Sequence, residues 1–413
     1  MSYIINSLLD TDFYKFTMGQ LVFKHFRDVP VRYAFKNRTA KVPLGRIIKE
    51  ADLRRELDHV MELRLGNSEY HYLLGTYEYK ERMFREDYLQ FLKNLELQPY
   101  ELRYEGDAIK LEFAGPWSSE IQWETMALSI INELYYRVYM ERLSEFERDA
   151  VHAEGVLRFK RKVDVLKKNP GIVFTDFGTR RRFSFDQQDY VNGVLAKEFP
   201  ATQFRGTSNT YLAMKHGLTP MGTSAHELFM VMAGIKHNSD ESIRQSHNEV
   251  LRYWWEEYGY GLSIALTDTY GSDFFFLDMT AEQARQWKGL RQDSGDPFDF
   301  GEKAIKFYEK HGIDPKKDEK IIVFSDGLDI EMIEKLYERF HDRIKVTFGW
   351  GTNLTNDLGF PALSLVVKAV EANGNRLVKL SDNLAKATGD MDDIARFKSI
   401  FGYSGDNYEE CKY

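Results

Sequence analysis

The sequence has a single cysteine, Cys411, among 413 residues. That excludes an intrachain disulfide and a cysteine cluster for zinc, and it suits a reducing compartment. Proline is also scarce, ten residues against 29 glycines, which leaves no room for a long disordered tract. No apolar run reaches the roughly 18 residues that a membrane helix needs. The N-terminal MSYIINSLLDTDFYKF meets acidic and aromatic residues before any apolar run fit for a signal peptide. These absences predict a cytoplasmic protein. Positive charge is in deficit, 56 Lys and Arg against 64 Asp and Glu, for a net charge of -8. Such a balance argues against a nucleic-acid surface but not against a local pocket for a small anion. Arg180-Arg181-Arg182 is the densest basic cluster. No histidine follows His226 at the spacing of a zinc protease, and Gly349-x-Gly351 lacks the third glycine of a dinucleotide fingerprint.

What is present divides by texture. Residues 1–145 predict an α/β sandwich domain to which 355–413 returns, and 146–354 predict an irregular β/α barrel that carries the active site. In the first part Thr11 or Asp12 is placed to cap a short helix, and Val31 to Phe35 alternates as a strand. Residues 51–65 have helical spacing, and Glu101 to Trp117 reads as a hairpin turning at Gly106-Asp107. A long helix is expected over 120–145, with Met126, Ile130, Leu134 and Val138 along one stripe.

After residue 170, short apolar runs end repeatedly in small or polar residues. Seven runs do so, beginning near residues 172, 204, 218, 263, 289, 321 and 346, and helical patterns such as 303–310 and 329–339 separate most of them. Strands alternating with helices argue for a parallel arrangement. Seven units are compact for a complete (β/α)₈ barrel, which takes about 250 residues. An incomplete barrel is therefore expected, with a doubly wound sheet as the competing fold. Leu363 to Val370 is one further candidate strand.

In either fold, functional residues gather at the carboxyl ends of the strands. Leu218 to Glu227 reads as strand, turn and helix start, with Thr223 and Ser224 as N-cap oxygens. His226 then falls in the first helical turn, where free N–H groups favour an anion. A half-buried capping histidine is the competing reading. Ser325-Asp326-Gly327 and Gly349-Trp350-Gly351-Thr352 are small-residue loops whose N–H groups suit phosphate. Arg180, Arg205 and Arg291 suit carboxylate or phosphate through bidentate pairing. Asp268, Asp293, Asp296 and Asp326 are candidates to hold Mg²⁺ on a pyrophosphate. Helix capping competes for Asp296 and Asp326.

Six segments occur in the order found in nicotinate phosphoribosyltransferases, which the chain resembles over nearly its whole length. They are Thr11-Asp12-Phe13-Tyr14-Lys15, Asp176-Phe177-Gly178-Thr179-Arg180-Arg181, Gly206-Thr207-Ser208-Asn209, Pro220 to Glu227, Arg291 to Asp296, and Ser325-Asp326-Gly327. The paired-acid loop of orotate-type transferases is missing. The resemblance implies Phe177 on one face of a pyridine ring and Tyr14 of a neighbouring subunit on the other. It implies Arg180, Ser208 and Arg291 along nicotinate and ribose, and Asp293 facing ribose or a Mg²⁺-bound pyrophosphate. Gly327, Gly351 and Thr352 would cradle the 5-phosphate. His226 would be phosphorylated transiently by ATP, with Glu227 beside it as orienter or helix cap. The implied activity joins nicotinate to 5-phosphoribosyl-1-pyrophosphate (PRPP) in a homodimer with shared sites. Nicotinamide phosphoribosyltransferases resemble the chain too, but carry aspartate where this chain has Ser208. A barrel isomerase or aldolase would need a base or a Schiff-base lysine at a strand end, and none of these loops offers an obvious lysine.

Overall fold

A computed structural model describes residues 2–78 and 81–409, so Cys411 lies outside the described residues. The elements that position the site are, in chain order, α1 (Tyr14–His25), β1 (Pro30–Asn37), α2 (Glu50–Glu62), β2 (Tyr100–Glu105), β3 (Ala108–Pro116), α3 (Trp123–Glu141) and α4 (Glu145–Lys168). Next come β4 (Val173–Asp176), β5 (Phe204–Thr207), α5 (His226–Ile235), α6 (Asp240–Tyr258), β6 (Ile264–Leu266) and β7 (Gly289–Gln292). The chain then runs through α7 (Pro297–Lys310), β8 (Ile321–Phe324), α8 (Ile330–Phe340), β9 (Lys345–Trp350), β10 (Leu365–Ala372) and α9 (Met391–Phe401).

Two sheets divide the work. The antiparallel sheet is ordered β10–β1–β3–β2, with a two-residue strand, Asn375–Arg376, outside β10. The β2–β3 hairpin turns at Gly106, whose φ of +60° is easy only for glycine. Its inner positions Leu102, Leu111 and Phe113 are buried, so alternation along the strands sets which face meets the core. α3 covers that face, and Phe113 stacks on Trp123 with centroids 4.6 Å apart.

The second sheet is wholly parallel, ordered β5–β4–β9–β8–β7–β6. This is the cyclic order of a barrel, with β9 returning beside β4 and a break between β5 and β6. A doubly wound sheet would start in the middle and reverse. The expected seventh strand near Leu218 is absent, and that is where the sheet stays open. Only an isolated bridge joins Thr207 to Pro220, because proline has no N–H to donate to a ladder. The fold is an irregular, incomplete β/α barrel joined to an α/β sandwich.

Two expected caps are corrected. α1 starts without a side-chain cap, because the Asp12 carboxylate is drawn away to Ser208 and Arg180. Neither Thr223 nor Ser224 caps α5, whose N-cap is Ala225 with no side-chain bond. The carbonyls of those two residues instead accept from Thr17 and Arg291. Elsewhere capping follows the sequence, as in the reciprocal Ser144–Glu147 box that starts α4.

Candidate active site

The carboxyl ends of the parallel strands open into one cavity of about 1020 Å³, mouth included, which is closed on its other side by β10 and the tail. Tyr14 and Phe177 both line it. The Phe177 ring rests on Gly349, where an added Cβ would sit 2.3 Å from two ring carbons. Gly349 is therefore a seat for that ring rather than a phosphate ligand, which corrects its expected role. The Arg291 guanidinium lies over the same ring, 5.8 Å from the centroid. Within the single chain, both rings line this one cavity.

Arg180 reaches the cavity from the turn after β4, held loosely by Glu124 at 3.4 Å and Asp12 at 3.6 Å. Arg38, Arg181 and Arg291 line the cavity as well. Lys368 on β10 and Lys379 and Lys386 in the tail add three ammonium groups. A chain with a net charge of -8 has thus gathered a strongly cationic interior, which suits a polyanionic ligand. Burial, helped by Lys379 and Arg180, pushes Lys368 down to about 7 against the opposing pull of Glu124. Arg205, by contrast, is exposed and donates to the Ala201 carbonyl. It has no part in the cavity.

At the centre, the first turn of α5 presents His226, 4 % exposed. Its Nδ1 lies 3.0 Å from Thr269 Oγ1 and its Nε2 3.0 Å from Asp293 Oδ2. Burial, reinforced by Lys379, lowers His226 to about 4 although Asp268 and Asp293 oppose this. Burial therefore favours the neutral ring at pH 7. Burial works against ionisation of Asp293, yet the Arg291 guanidinium and His226 hold its carboxyl well below the usual range. Asp293 Oδ1 accepts from Arg291 Nη2 and Ser325 Oγ, both at 2.9 Å.

Behind this pair Asp268 is fully buried; its Oδ1 lies 3.7 Å from His226 Nε2 and makes no hydrogen bond among the described residues. The ligand atoms of His226, Asp268 and Asp293 lie within 4.8 Å of one another. Asp296 does not join them. It caps α7 by accepting from Phe298 N and Asp299 N, each at 2.8 Å. Asp326 is not a cap, since Asp329 caps α8. Its carboxylate faces the cavity and pairs with Lys386.

The late loops behave as expected in part. Asp326, Gly327, Gly351 and Thr352 all line the cavity. Gly327 has φ +57°, a conformation that a Cβ would strain. Two other expectations fail on geometry. Glu227 points away from the cavity, where its carboxylate accepts from Lys15 Nζ at 2.7 Å, Trp117 Nε1 at 2.8 Å and Tyr33 OH. It neither orients His226 nor caps the helix. Ser208 is 3 % exposed, and its hydroxyl donates to Asp12 Oδ1 at 2.6 Å. It does not line the cavity.

The order of motifs can now be set beside known proteins. A family model described as "Nicotinate phosphoribosyltransferase (NAPRTase) family" matches residues 172–405, and its N-terminal domain model matches 9–132. The chain belongs to the nicotinate phosphoribosyltransferase family. Among solved structures it is similar to the nicotinate phosphoribosyltransferase of Porphyromonas gingivalis, at 31% identity and a TM-score of 0.84, covering 97% of this chain and 100% of that one. It is also similar to the Vibrio cholerae enzyme, at 32% identity and a TM-score of 0.85, covering 98% of this chain and 95% of the other. These family structures share the separate parallel and antiparallel sheets.

The lysines of this cavity were not singled out from the sequence. Lys368 had one visible signal, a charge inside the apolar run Leu363 to Val370. Lys379 gives the same signal, a charge inside Leu377-Val378-Lys379-Leu380, and Lys386 a weaker one inside Leu384-Ala385-Lys386-Ala387.

Proposed function

We propose that the protein transfers the phosphoribosyl group of PRPP to nicotinate, giving nicotinate mononucleotide and pyrophosphate, with ATP hydrolysed alongside. The observation that carries this reading is one cavity holding two aromatic faces, Tyr14 and Phe177, beside cationic groups and the small-residue loops at Gly327 and Gly351. The pyridine nitrogen attacks ribose C1 as the bond from C1 to the pyrophosphate oxygen breaks, so no side-chain nucleophile is needed. Orientation of the ring and neutralisation of the departing pyrophosphate are the protein's tasks. Arg180 beside Tyr14 favours the carboxylate of nicotinate over a neutral amide.

ATP enters through His226. The resting contact of Nε2 with Asp293 Oδ2 puts the proton on Nε2; the attacking tautomer carries it on Nδ1, donated to Thr269 Oγ1, which gives up the bond to Asp293 and frees the Nε2 lone pair. Nε2 attacks the γ-phosphorus, the bond from phosphorus to the β-phosphate oxygen breaks, and ADP leaves. Water later cleaves the N–P bond and releases phosphate. Asp293 and the Oδ1 of Asp268 are oxygen donors fit for Mg²⁺, whereas the imidazole suits that hard cation poorly. When bound, Mg²⁺ would neutralise pyrophosphate charge.

A homodimer fits the exposed apolar stripe on α4, where Phe146 and Leu157 are 81% and 63% exposed. The reading is tested by incubating the protein with nicotinate, PRPP and Mg²⁺, with and without ATP. Mononucleotide should form and ATP should accelerate it. No product, or equal product from nicotinamide, overturns the reading.

A further inference from the structure

The side chain of Glu227 belongs to a buried chain of charges that leads from the His226 turn to the aromatic end of the cavity. Lys15, with no exposed surface, lies between two carboxylates, 2.6 Å from Glu124 Oε2 and 2.7 Å from Glu227 Oε2. Glu124 in turn accepts from Tyr14 OH at 3.2 Å and meets Arg180 Nη1 at 3.4 Å. Glu227 and His226 are consecutive in the first turn of α5. We propose that the chain Glu227–Lys15–Glu124 couples the phosphorylation state of His226 to the positions of Arg180 and Tyr14, and so sets the affinity for nicotinate. This rests on the reading of His226 given above.

The physical case starts at Asp293. A phosphoryl group on Nε2 cannot keep the 3.0 Å contact with the Asp293 carboxylate, because both are then anionic. The His226 turn must adjust. That turn is fastened to α1, since Thr17 Oγ1 donates to the Thr223 carbonyl at 2.8 Å and Ala225 N to Met18 Sδ at 3.0 Å. Glu227 moves with the turn, and Lys15 must follow, because a desolvated charge left unpaired is strongly unfavourable.

Glu124 then redistributes its hold among Lys15, Tyr14 and Arg180. Its bond to Lys15 is short and its contact with Arg180 is long. A small displacement of Lys15 therefore decides whether Arg180 is held back by Glu124 or released toward a carboxylate ligand. Burial opposes charge on Lys15 and Glu124 alike. Even so, Lys15 is raised by its two carboxylates and Glu124 is lowered by Lys15, so each holds the other in its charged form.

Glu227→Gln tests the proposal, because it removes one charge of the chain while leaving the cavity lining intact. Wild-type protein should bind nicotinate about tenfold more tightly with ATP than without, a typical size for coupling between sites. The variant should form phosphohistidine and make mononucleotide slowly without ATP, as wild type does. Its ATP-dependent gain in nicotinate affinity should fall to near unity, and it should consume more ATP per mononucleotide. Glu227→Asp, which restores the charge, should recover part of the gain. A full gain in Glu227→Gln overturns the proposal.

If Glu227→Gln fails to fold, hydrogen exchange on wild-type protein decides. Amides of residues 14–18 and 122–126 should change protection when phosphohistidine forms, and unchanged protection overturns the proposal. Absence of phosphohistidine in wild type would instead defeat the underlying reading of His226, so the two failures are distinct.

Discussion

His226, Ser208 and Lys368 show how environment, rather than residue type, assigns a role. His226 is buried, which favours its neutral form, and bonded on both ring nitrogens. His226→Ala should abolish phosphohistidine and ATP hydrolysis yet leave slow, ATP-independent synthesis, since the glycosyl step does not use the ring. Radiolabel from γ-labelled ATP, retained in acid-labile form at the wild-type level, would refute this. Ser208 is sealed against the Asp12 carboxylate. Ser208→Asp should therefore act on stability, costing roughly 3 kcal/mol or more for a second buried carboxylate beside the first. Denaturant titration checks this, and a stable variant with altered preference between nicotinate and nicotinamide would contradict it.

Lys368 supplies a pH dependence. Burial lowers it to about 7 from the ordinary 10.5, so its positive charge is lost as pH rises through 7. Nicotinate affinity should weaken over that interval, and Lys368→Met should flatten the profile. The sign for stability is opposite. Between about 7 and 10.5 the unfolded chain binds the proton that the folded chain has released, so this group makes stability rise with pH there. An affinity profile in Lys368→Met identical to that of wild type would exclude the lysine.

At the scale of elements, α4 holds the Gly351–Asn353 loop from behind. Lys162 on α4 donates to the Asn353 carbonyl, pairs with Asp357 Oδ2 at 2.6 Å and lies over the Trp350 ring. Its ammonium thus sets the distance between helix and loop. Lys162→Met should raise KM for PRPP about tenfold and leave KM for nicotinate nearly unchanged, because only the loop would be misplaced. Equal changes in both constants would show a general loss of structure instead.

At the scale of the whole molecule, one chain brings Tyr14, Phe177 and His226 to one cavity. Mixing Tyr14→Ala and His226→Ala chains by unfolding and refolding should give no activity above the average of the parents, since no chain in the mixture holds an intact site. Recovery of ATP-coupled activity in proven mixed dimers would place Tyr14 in its neighbour's site.

The sequence by itself determined the elements and the family. Alternation marked β1 and the β2–β3 hairpin, helical spacing marked α2 and α3, and six strand ends carried their polar residues as local chemistry dictates. Through the family resemblance those ordered motifs assigned Tyr14, Phe177, Arg180, His226, Arg291, Asp293 and the Gly327 and Gly351 loops to one site. These signals are local, because period, turn chemistry and short motifs depend only on near neighbours in the chain. Tertiary structure alone decided which way equivalent side chains point. Glu227 turns inward because Lys15 waits there, 212 positions away in the chain. Ser208 is spent on Asp12, and Gly349 makes room for a ring. The lysines at 368, 379 and 386 reach the site only because β10 pairs with β1 and carries the tail back across the strand ends. Each of these contacts joins residues remote in sequence, and no local pattern encodes them.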